Sequence, residues 1–182
     1  DHESARSSDR RTPVGRELVT DTPASPPFRV GQAFDVHAHT DDPDRTLILG
    51  GVRFEGERGL AGNSDADIVA HVCCDAILGA AGLGDIGQMF PDTDPALKGA
   101  DSIELLRRAA DAVRAAGWHP GNIDLSVVLD RPKLVSVKDA MQRNLSDAAG
   151  CPVTITGRRT EGVGAFGRGE GVAAWAVALV HR

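Results

Sequence analysis

The sequence predicts a single domain of the α/β (α+β) class, in which a mixed β-sheet packs against helices. Three observations lead to this prediction. Segments with the two-residue alternation of strands are interleaved with segments whose apolar residues recur at helical spacing. The chain has 182 residues, the size of one domain with a short appendage. Its 41% hydrophobic and 25% charged residues are typical of globular proteins and exclude collagen-like and wholly disordered classes.

Composition divides the chain near residue 27. Residues 1–27 contain nine charged residues, four of the ten prolines and only five apolar residues. A segment of this kind cannot bury enough apolar surface to fold. We therefore interpret residues 1–27 as a disordered extension or linker, and residues 28–182 as the folded domain.

Three elements are predicted in the first part of the domain. Residues 28–37 alternate partly between apolar and polar side chains, which favours a strand, and residues 47–54 are predicted to return as a second strand. In residues 65–81 the apolar side chains recur at helical spacing. Ser64, with Asp67 three positions later, resembles a capping box, so this helix is expected to begin directly after Ser64.

The remaining sequence continues the alternation of helices and strands. The predicted order is a loop at 82–99, a helix at 101–116, a strand at 123–129, a helix at 132–149 opened by Pro132, a strand at 153–156 and a segment at 171–180. The last segment is small and apolar without a clear period, and we assign it to a strand.

Charge and composition exclude several classes of function. Twenty Lys and Arg against twenty-six Asp and Glu give a net charge of -6, so we expect no nucleic-acid or membrane partner. No apolar run approaches the roughly 18 residues of a membrane-spanning helix. Cys73, Cys74 and Cys151 form neither a CxxC motif nor an even set for disulfides, which indicates a reducing, cytoplasmic setting.

Asp35 and His37 lie two residues apart on a predicted strand, so their side chains point to the same face and can converge on one ion. His71 is a candidate third ligand, with Asp67 and Asp75 one helical turn away on either side to orient its ring. Two nitrogens and one carboxylate oxygen suit zinc, and three protein ligands leave a fourth position open for catalysis. The same spacing also occurs in strands and solvated helix faces that hold no metal.

Glycine-rich and charged segments supply further candidates. Residues 160–171 contain a formal GxGxxG, but too few residues follow to complete a Rossmann unit, which we reject. The glycines around Arg168 and Glu170 favour either a cation presented to a phosphate or a salt-bridged turn. Residues 85–94 carry carboxylates that serve as turn residues or hold substrate hydroxyls. Residues 131–133 place cations at a strand end, where α/β sheets bind ligands.

Taken in order, these segments carry a family pattern. The landmarks are Phe34-Asp-Val-His37, Ser64-Asp-Ala-Asp67 with His71, Leu78 to Gly87, Phe90 to Pro95, Arg131-Pro-Lys133, Thr160-Glu161 and Gly167 to Gly171. Over residues 28–182 the chain resembles the 2-C-methyl-D-erythritol 2,4-cyclodiphosphate synthases, the cyclases of the non-mevalonate isoprenoid pathway.

The resemblance implies a homotrimeric enzyme, a phosphorus-oxygen lyase, with active sites at the subunit interfaces. Its expected reaction is the cyclisation of 4-diphosphocytidyl-2-C-methyl-D-erythritol 2-phosphate with release of cytidine monophosphate (CMP). It implies Zn2+ held by Asp35, His37 and His71. It also implies Mg2+ or Mn2+ held by Glu161 together with the substrate diphosphate.

The resemblance also implies substrate contacts, partners and a location. The expected substrate-binding residues are Ser64, Asp85, Ile86, Gly87, Phe90, Pro91, Asp92, Thr93, Asp94, Pro132, Lys133, Thr160 and Arg168. Lys133 and Thr160 would line the cytidine diphosphate pocket of the neighbouring subunit, and Arg168 would face a central cavity of the trimer that can bind an isoprenoid diphosphate. A cytidylyltransferase, fused or separate, is an expected partner, with residues 1–27 either a linker to it or a plain extension. The expected location is the cytoplasm, or a plastid-type organelle in a eukaryote.

Three sites depart from the family pattern. Asn63 replaces a histidine that stabilises the phosphoryl transition state, and Arg158 and Arg159 replace two threonines, the second of which helps to fix the transferring phosphate. Residues 164–169 also differ beside Arg168. We predict an enzyme whose activity these changes can reduce. The alternative is a non-catalytic or altered-substrate trimeric homologue that binds a nucleotide or an isoprenoid diphosphate.

Overall fold

A computed structural model describes residues 26–182, so the interpretation of residues 1–27 lies almost wholly outside the described residues. The strands are β1 (Phe28–Ala38), β2 (Thr46–Leu49), β3 (Val52–Arg58), β4 (His119–Val128), β5 (Val153–Arg158) and β6 (Gly171–His181). The helices are α1 (Ile68–Ala81), α2 (Ile86–Met89), α3 (Ser102–Ala115), α4 (Lys138–Ala149) and α5 (Gly164–Gly167), with a 3-10 turn at Pro95–Leu97. Within residues 26–182, none of these helices is long and apolar enough to span a membrane.

Four of the strands form one mixed sheet in the order β1-β6-β4-β5. Strand β6 pairs antiparallel with both β1 and β4, whereas β4 and β5 run parallel and are connected through α4. Strands β2 and β3 form a separate antiparallel hairpin. The predicted mixed sheet with packed helices is confirmed, and residues 171–180 lie in a strand as assigned.

Helices α1, α3 and α4 pack on one face of the sheet and enclose an aliphatic core. Strand β1 approaches α1 closely because it carries Gly31 at the crossing. A Cβ atom at this position would lie 2.1 Å from the carbonyl oxygen of Ala76, which no side chain can tolerate. This contact brings the inward face of β1 against the helix that carries His71.

The opposite face of the sheet carries large apolar side chains that are exposed in the single chain. They are Phe28, Val30, Phe34 and Val36 of β1, with Trp175 and Val177 of β6. The rings of Phe34 and Trp175 lie 4.6 Å apart between centroids. We call these six side chains the outer apolar face. Its size is unusual for a surface that faces only water.

The prediction of one strand over residues 47–54 is wrong, because a turn divides this segment into β2 and β3. The turn contains Gly50 and Gly51, which have positive φ angles of 57° and 71°. Glycine adopts this conformation without steric cost, so the chain can reverse here. The apolar pattern continues across the turn and therefore concealed it.

The predicted capping box at the start of α1 is also wrong. Asp67 is the N-cap, and its carboxylate accepts hydrogen bonds from the amides of Val69 and Ala70. Ser64 lies one turn earlier and directs its hydroxyl into the candidate site instead. Aspartate caps the N-terminus of a helix as well as serine does, so the helix begins three residues later than predicted.

Helix α4 begins at Lys138 and not at Pro132 as predicted. Residues 132–137 contain two β-branched valines, Val135 and Val137, which lose side-chain freedom in a helix. A turn forms here instead, in which the buried Leu134 accepts hydrogen bonds from the amides of Val137 and Lys138. The first residues after β4 therefore remain a loop at the edge of the sheet.

Candidate active site

Three predicted metal ligands meet between β1 and α1. Asp35 and His37 alternate with outward residues on β1 and point towards α1, where His71 lies on the facing side. His37 Nε2 lies 3.0 Å from Asp35 Oδ2 and 3.3 Å from His71 Nδ1. His71 Nδ1 lies 3.5 Å from the same Asp35 oxygen. We call these three residues the triad.

The hydrogen bonds of His37 show which of its two ring nitrogens faces the other triad residues. His37 Nδ1 lies 2.8 Å from the carbonyl oxygen of Ala61, which can only accept a hydrogen bond. His37 Nδ1 therefore carries a proton, and Nε2 is the nitrogen that faces Asp35; loss of the Nε2 proton frees the lone pair that a metal ion would need. Metal-binding histidines use the same arrangement, in which a backbone carbonyl fixes the tautomer.

Electrostatic interactions within the triad favour an ionised carboxylate. Burial opposes ionisation of Asp35, but the interactions of its carboxylate with the imidazoles of His37 and His71 outweigh it and hold the pKa of Asp35 well below its usual range. Burial likewise acts to lower the pKa of His37, but the Asp35 carboxylate outweighs it and raises that pKa. The triad thus combines a negative carboxylate with two imidazoles in a partly buried site.

The geometry of the triad fits a small metal ion. The three candidate ligand atoms all lie within 4.8 Å of one another. Around a tetrahedral ion with bonds of about 2.0–2.1 Å, neighbouring ligand atoms lie roughly 3.3 Å apart, close to the separations found here. The triad could therefore hold a small metal ion through three protein ligands.

The predicted orientation of His71 by Asp67 and Asp75 is wrong. Asp67 uses its carboxylate on backbone amides at the start of α1, and Asp75 Oδ1 accepts a hydrogen bond from the amide of Ile86 at 2.6 Å. Both carboxylates are thus engaged by backbone amides. Asp75 thereby fastens α2 to α1.

Two hydroxyl groups contact His71 instead. Its Nε2 lies 3.1 Å from Ser64 Oγ and 3.0 Å from Ser102 Oγ. Ser102 is the first residue of α3. The Ser102 hydroxyl also contacts the Asp65 carboxylate. Neither Asp65 nor Ser102 was a predicted site residue. No spacing rule relates Ser102 to His71, because they are 31 residues apart and meet only through the packing of α3 on α1.

A cavity of about 120 Å³ opens beside His71. Predicted substrate residues that line it are Ser64, Ile86, Gly87, Phe90 and Asp92, together with Asn63. Asp85 and Asp94, also predicted to bind substrate, act as N-caps of α2 and of the 3-10 turn. Pro91 and Thr93 lie in the exposed turn between them. The predicted loop at 82–99 therefore holds two short helical turns that wall one side of the site.

A second cavity, of about 410 Å³, lies at the end of β4 and β5 and carries two more of the predicted substrate residues, Pro132 and Lys133. Pro132, Lys133, Arg158 and Arg159 line it together with Lys138. No described residue lines both this cavity and the one beside His71. In a single chain, the cationic cavity and the triad are thus separate.

Thr160 and Glu161 follow the cationic cavity in the chain. The Asp130 carboxylate accepts hydrogen bonds from both the hydroxyl and the amide of Thr160, which is nearly buried. These hydrogen bonds from Thr160 lower the pKa of Asp130. Glu161 has a positive φ of 52°, a conformation that residues other than glycine rarely adopt. Asp130 was not predicted as a site residue, yet it holds the turn that presents Glu161.

Arg168 lies in a groove of about 340 Å³ with Arg58, Arg131 and the glycines around it. Its guanidinium pairs with Glu170, with 2.7 Å between Nε and Oε1, and both side chains are more than half exposed. The turn is thus salt-bridged, and the same cation lines the groove.

Comparisons with known proteins identify the family of the chain. The sequence model of the YgbB family matches residues 28–181. The 2-C-methyl-D-erythritol 2,4-cyclodiphosphate synthase of Aromatoleum aromaticum is 53% identical over 159 residues, which cover 86% of this chain and 95% of that protein.

Two solved structures share the fold. The bifunctional IspDF from Campylobacter jejuni has a TM-score of 0.79 and 41% identity, covering 85% of this chain and 42% of its own. A 2C-methyl-D-erythritol-2,4-cyclodiphosphate synthase in a CDP-bound form has a TM-score of 0.74 and 36% identity, covering 84% of this chain and 99% of its own. The resemblance inferred from the sequence motifs is confirmed: the chain belongs to the YgbB family, which includes the 2-C-methyl-D-erythritol 2,4-cyclodiphosphate synthases.

Proposed function

We propose that this chain catalyses the metal-dependent cyclisation of 4-diphosphocytidyl-2-C-methyl-D-erythritol 2-phosphate to 2-C-methyl-D-erythritol 2,4-cyclodiphosphate. The observation that carries the proposal is the intact triad of Asp35, His37 and His71, preformed at ligand distances in a chain of this family. Relatives above half identity bear the name of this synthase. The triad and these names favour the enzyme over the non-catalytic alternative.

The reaction needs no protein nucleophile. An oxygen of the substrate's 2-phosphate attacks the β-phosphorus, the bond from that phosphorus to the bridging oxygen breaks, and CMP leaves with that oxygen. Such a transfer depends on positioning and on stabilising negative charge. The class of the reaction is therefore that of a phosphorus-oxygen lyase. The protein must hold two phosphate groups of one molecule in line.

The proposed metal ions are Zn2+ at Asp35, His37 and His71, and Mg2+ or Mn2+ at Glu161 with the substrate diphosphate. When bound, such cations neutralise the charge on the diphosphate oxygens and orient them. Two imidazole nitrogens and one carboxylate oxygen are a donor set that zinc prefers. The unusual backbone at Glu161 supports a functional role for that residue, because strained conformations cluster at binding sites.

The cavities suggest how the substrate is divided between subunits. The small cavity beside His71 would receive the methylerythritol part, with Asp85 to Gly87 and Phe90 to Asp94 around it. The larger cavity at Pro132 and Lys133 would receive the cytidine diphosphate of a neighbouring subunit's site, close to Thr160. One solved relative is a CDP-bound form, which supports a cytidine-linked substrate.

A homotrimer would join these two half-sites. The outer apolar face of β1 and β6 supports such an assembly, because burying exposed aromatic and aliphatic side chains between subunits is favourable. Arg168 would then face the central cavity, where an isoprenoid diphosphate is a proposed ligand. A cytidylyltransferase is a proposed partner, supported by the bifunctional relative. The free cysteines support a reducing location, the cytoplasm or a plastid-type organelle.

We propose that the replacements at Asn63, Arg158 and Arg159 slow the reaction. Asn63 lines the small cavity and can donate a hydrogen bond but brings no charge. Arg159 is exposed, with its guanidinium 3.9 Å from the Asp130 carboxylate, and can swing towards a diphosphate. Losing one positioned donor typically costs about 10²- to 10³-fold in turnover, so we propose a slowed enzyme and not an inactive one.

The decisive experiment measures CMP release from 4-diphosphocytidyl-2-C-methyl-D-erythritol 2-phosphate, with zinc and magnesium and with a chelated control. We expect metal-dependent release by the wild type and loss of release in the variant His37→Ala. His39→Ala is the matched control, because His39 directly follows β1 in the chain but is not one of the three triad residues. Absence of release by a folded, zinc-loaded protein would reject the proposal in favour of a binding protein or another substrate.

A further inference from the structure

We propose that Asp65 and Ser102 are positioning residues that fix the tautomer and the orientation of His71 for a metal ion. They form a chain of hydrogen bonds that runs from the Asp65 carboxylate through the Ser102 hydroxyl to His71 Nε2. We call this chain the serine relay. The inference rests on the metal site of the proposed function and deepens it.

The serine relay is built from well-fixed groups. Ser102 is fully buried, and its amide donates a second hydrogen bond to Asp65 Oδ2 at 3.1 Å. Asp65 Oδ1 also accepts a hydrogen bond from the amide of Asp67 at 3.1 Å. The carboxylate is therefore held from two directions, by the start of α3 and by the start of α1, and it holds the Ser102 hydroxyl in turn.

The chemistry of the donors determines the direction of each hydrogen bond. An ionised carboxylate only accepts, so the single hydroxyl proton of Ser102 is donated to Asp65. The lone pairs of Ser102 Oγ are then left for His71 Nε2, which lies 3.0 Å away and must carry the proton. In the neutral ring that binds a metal, His71 Nδ1 is consequently the unprotonated nitrogen, and it is the atom that faces Asp35 and His37.

This arrangement is a longer version of the carboxylate-histidine-metal unit, with a hydroxyl inserted between carboxylate and ring. A partner of this kind orients the ring and makes the ligating nitrogen more basic. Ser64 contributes a second oxygen at 3.1 Å from the same nitrogen. Because Ser64 is also a proposed substrate residue, it is unsuitable for testing the relay alone.

The hydroxyl of Ser102 is not needed to cap the N-terminus of α3. Asp101 is the N-cap of α3, and its side chain accepts a hydrogen bond from the amide of Ile103 at 2.8 Å. The capping role and the relay role therefore belong to neighbouring residues, which can be changed separately. This separation provides a matched control.

The test measures zinc affinity of the metal-free full chain by competition with a chromophoric chelator, with zinc as the only added metal. We expect Ser102→Ala and Asp65→Asn to weaken zinc binding by roughly 10- to 100-fold. The control Asp101→Ala removes the helix cap but leaves the relay, so its zinc affinity should stay within about twofold of the wild type. Thermal unfolding of each metal-free variant shows whether it is folded.

A second measurement does not depend on metal. Nitrogen-15 NMR of the metal-free wild type should show His71 as the Nε2-H tautomer, and Ser102→Ala should increase the Nδ1-H form. An Nδ1-H tautomer in the wild type would overturn the inference. Unchanged zinc affinity in Ser102→Ala, or an equal loss in Asp101→Ala, would overturn it as well.

Failure of this inference and failure of the proposed function are distinguishable. Weaker zinc binding in the relay variants, with no CMP release by the wild type, would support the relay and reject the proposed reaction. CMP release by a wild type whose relay variants bind zinc normally would do the reverse. A wild type that binds no zinc would overturn the inference directly.

Discussion

The carboxylate of Asp67 accepts a hydrogen bond from the amide of Gly50 at 2.8 Å, which ties the turn between β2 and β3 to the start of α1. A second hydrogen bond, from the amide of Gly51, is 2.7 Å long. The same carboxylate caps α1 through two further amides. One fully buried side chain thus joins the hairpin to the helix that carries His71.

Replacing Asp67 with alanine should destabilise the protein. Asp67→Ala leaves four amide donors without their acceptor, three of them buried, and an unpaired buried donor costs about 1–3 kcal/mol. We expect the free energy of unfolding, measured by urea denaturation, to fall by about that amount or more. Asp139→Asn, an exposed change in the first turn of α4, is the control and should have little effect. An unchanged urea midpoint for Asp67→Ala would contradict the prediction.

The contribution of Asp67 should depend on pH. Burial raises the pKa of Asp67 to about 6, against the lowering effect of the amide donors. A carboxyl group whose pKa is raised on folding stabilises the fold most below its unfolded value, and this contribution is lost as pH rises through about 6. The stability difference between wild type and Asp67→Ala should therefore be larger at low pH than at neutral pH. Equal or opposite differences, measured by urea denaturation across that range, would contradict the assignment.

Local patterns predicted most of the fold because each amphipathic segment has one buried face. The apolar residues of α3 recur at helical spacing, and the buried residues of that helix follow the same spacing. Turns inside apolar runs are different. Gly50 and Gly51 interrupt a continuous apolar pattern, and the reversal there depends on the buried acceptor of Asp67, which only the folded chain supplies.

The candidate site, like the fold, could be predicted from the sequence only in part. The pair Asp35 and His37 follows from strand alternation alone, so spacing was sufficient to place both side chains on one face. The groups that orient His71 did not follow from spacing. Asp67 lies one turn from His71, but backbone amides occupy its carboxylate, whereas Ser102 reaches the ring across a tertiary contact. Helical spacing offered His71 as the candidate third ligand and the motif resemblance supported it, but only the packed structure showed its hydrogen-bond partners.

Glu161 should matter for the magnesium requirement but not for zinc. We expect Glu161→Gln to lower CMP release by roughly 10²-fold or more, because a neutral amide is a weaker ligand for a hard divalent cation. Zinc content, measured by atomic emission, should stay equal to that of the wild type. Glu55→Gln, an exposed change on β3, serves as the control. Loss of zinc in Glu161→Gln, or full activity at low magnesium, would refute the assignment.

Introducing histidine at position 63 should accelerate turnover. Asn63 lines the cavity beside His71. Its backbone carbonyl oxygen accepts a hydrogen bond from the Gly99 amide, so the backbone is held in place. A protonated imidazole there adds a charged donor, and we expect Asn63→His to raise the rate of CMP release by up to roughly 10²-fold. Asn63→Ala, which removes the donor, should lower it. A rate that does not rise in Asn63→His would favour the altered-substrate alternative.

The outer apolar face should govern assembly. Phe34 is 51% exposed and packs against Trp175, so Phe34→Glu places a charge where the proposed trimer buries both rings. We expect this variant to be monomeric by light scattering and to lose CMP release while it still binds zinc, because Lys133 and Thr160 would no longer reach a neighbour's triad. Val163→Glu, which changes an exposed residue away from the sheet, should leave the molecular mass unchanged. A trimeric and active Phe34→Glu would show that this face is not the interface, since a buried, unpaired carboxylate is too costly to retain.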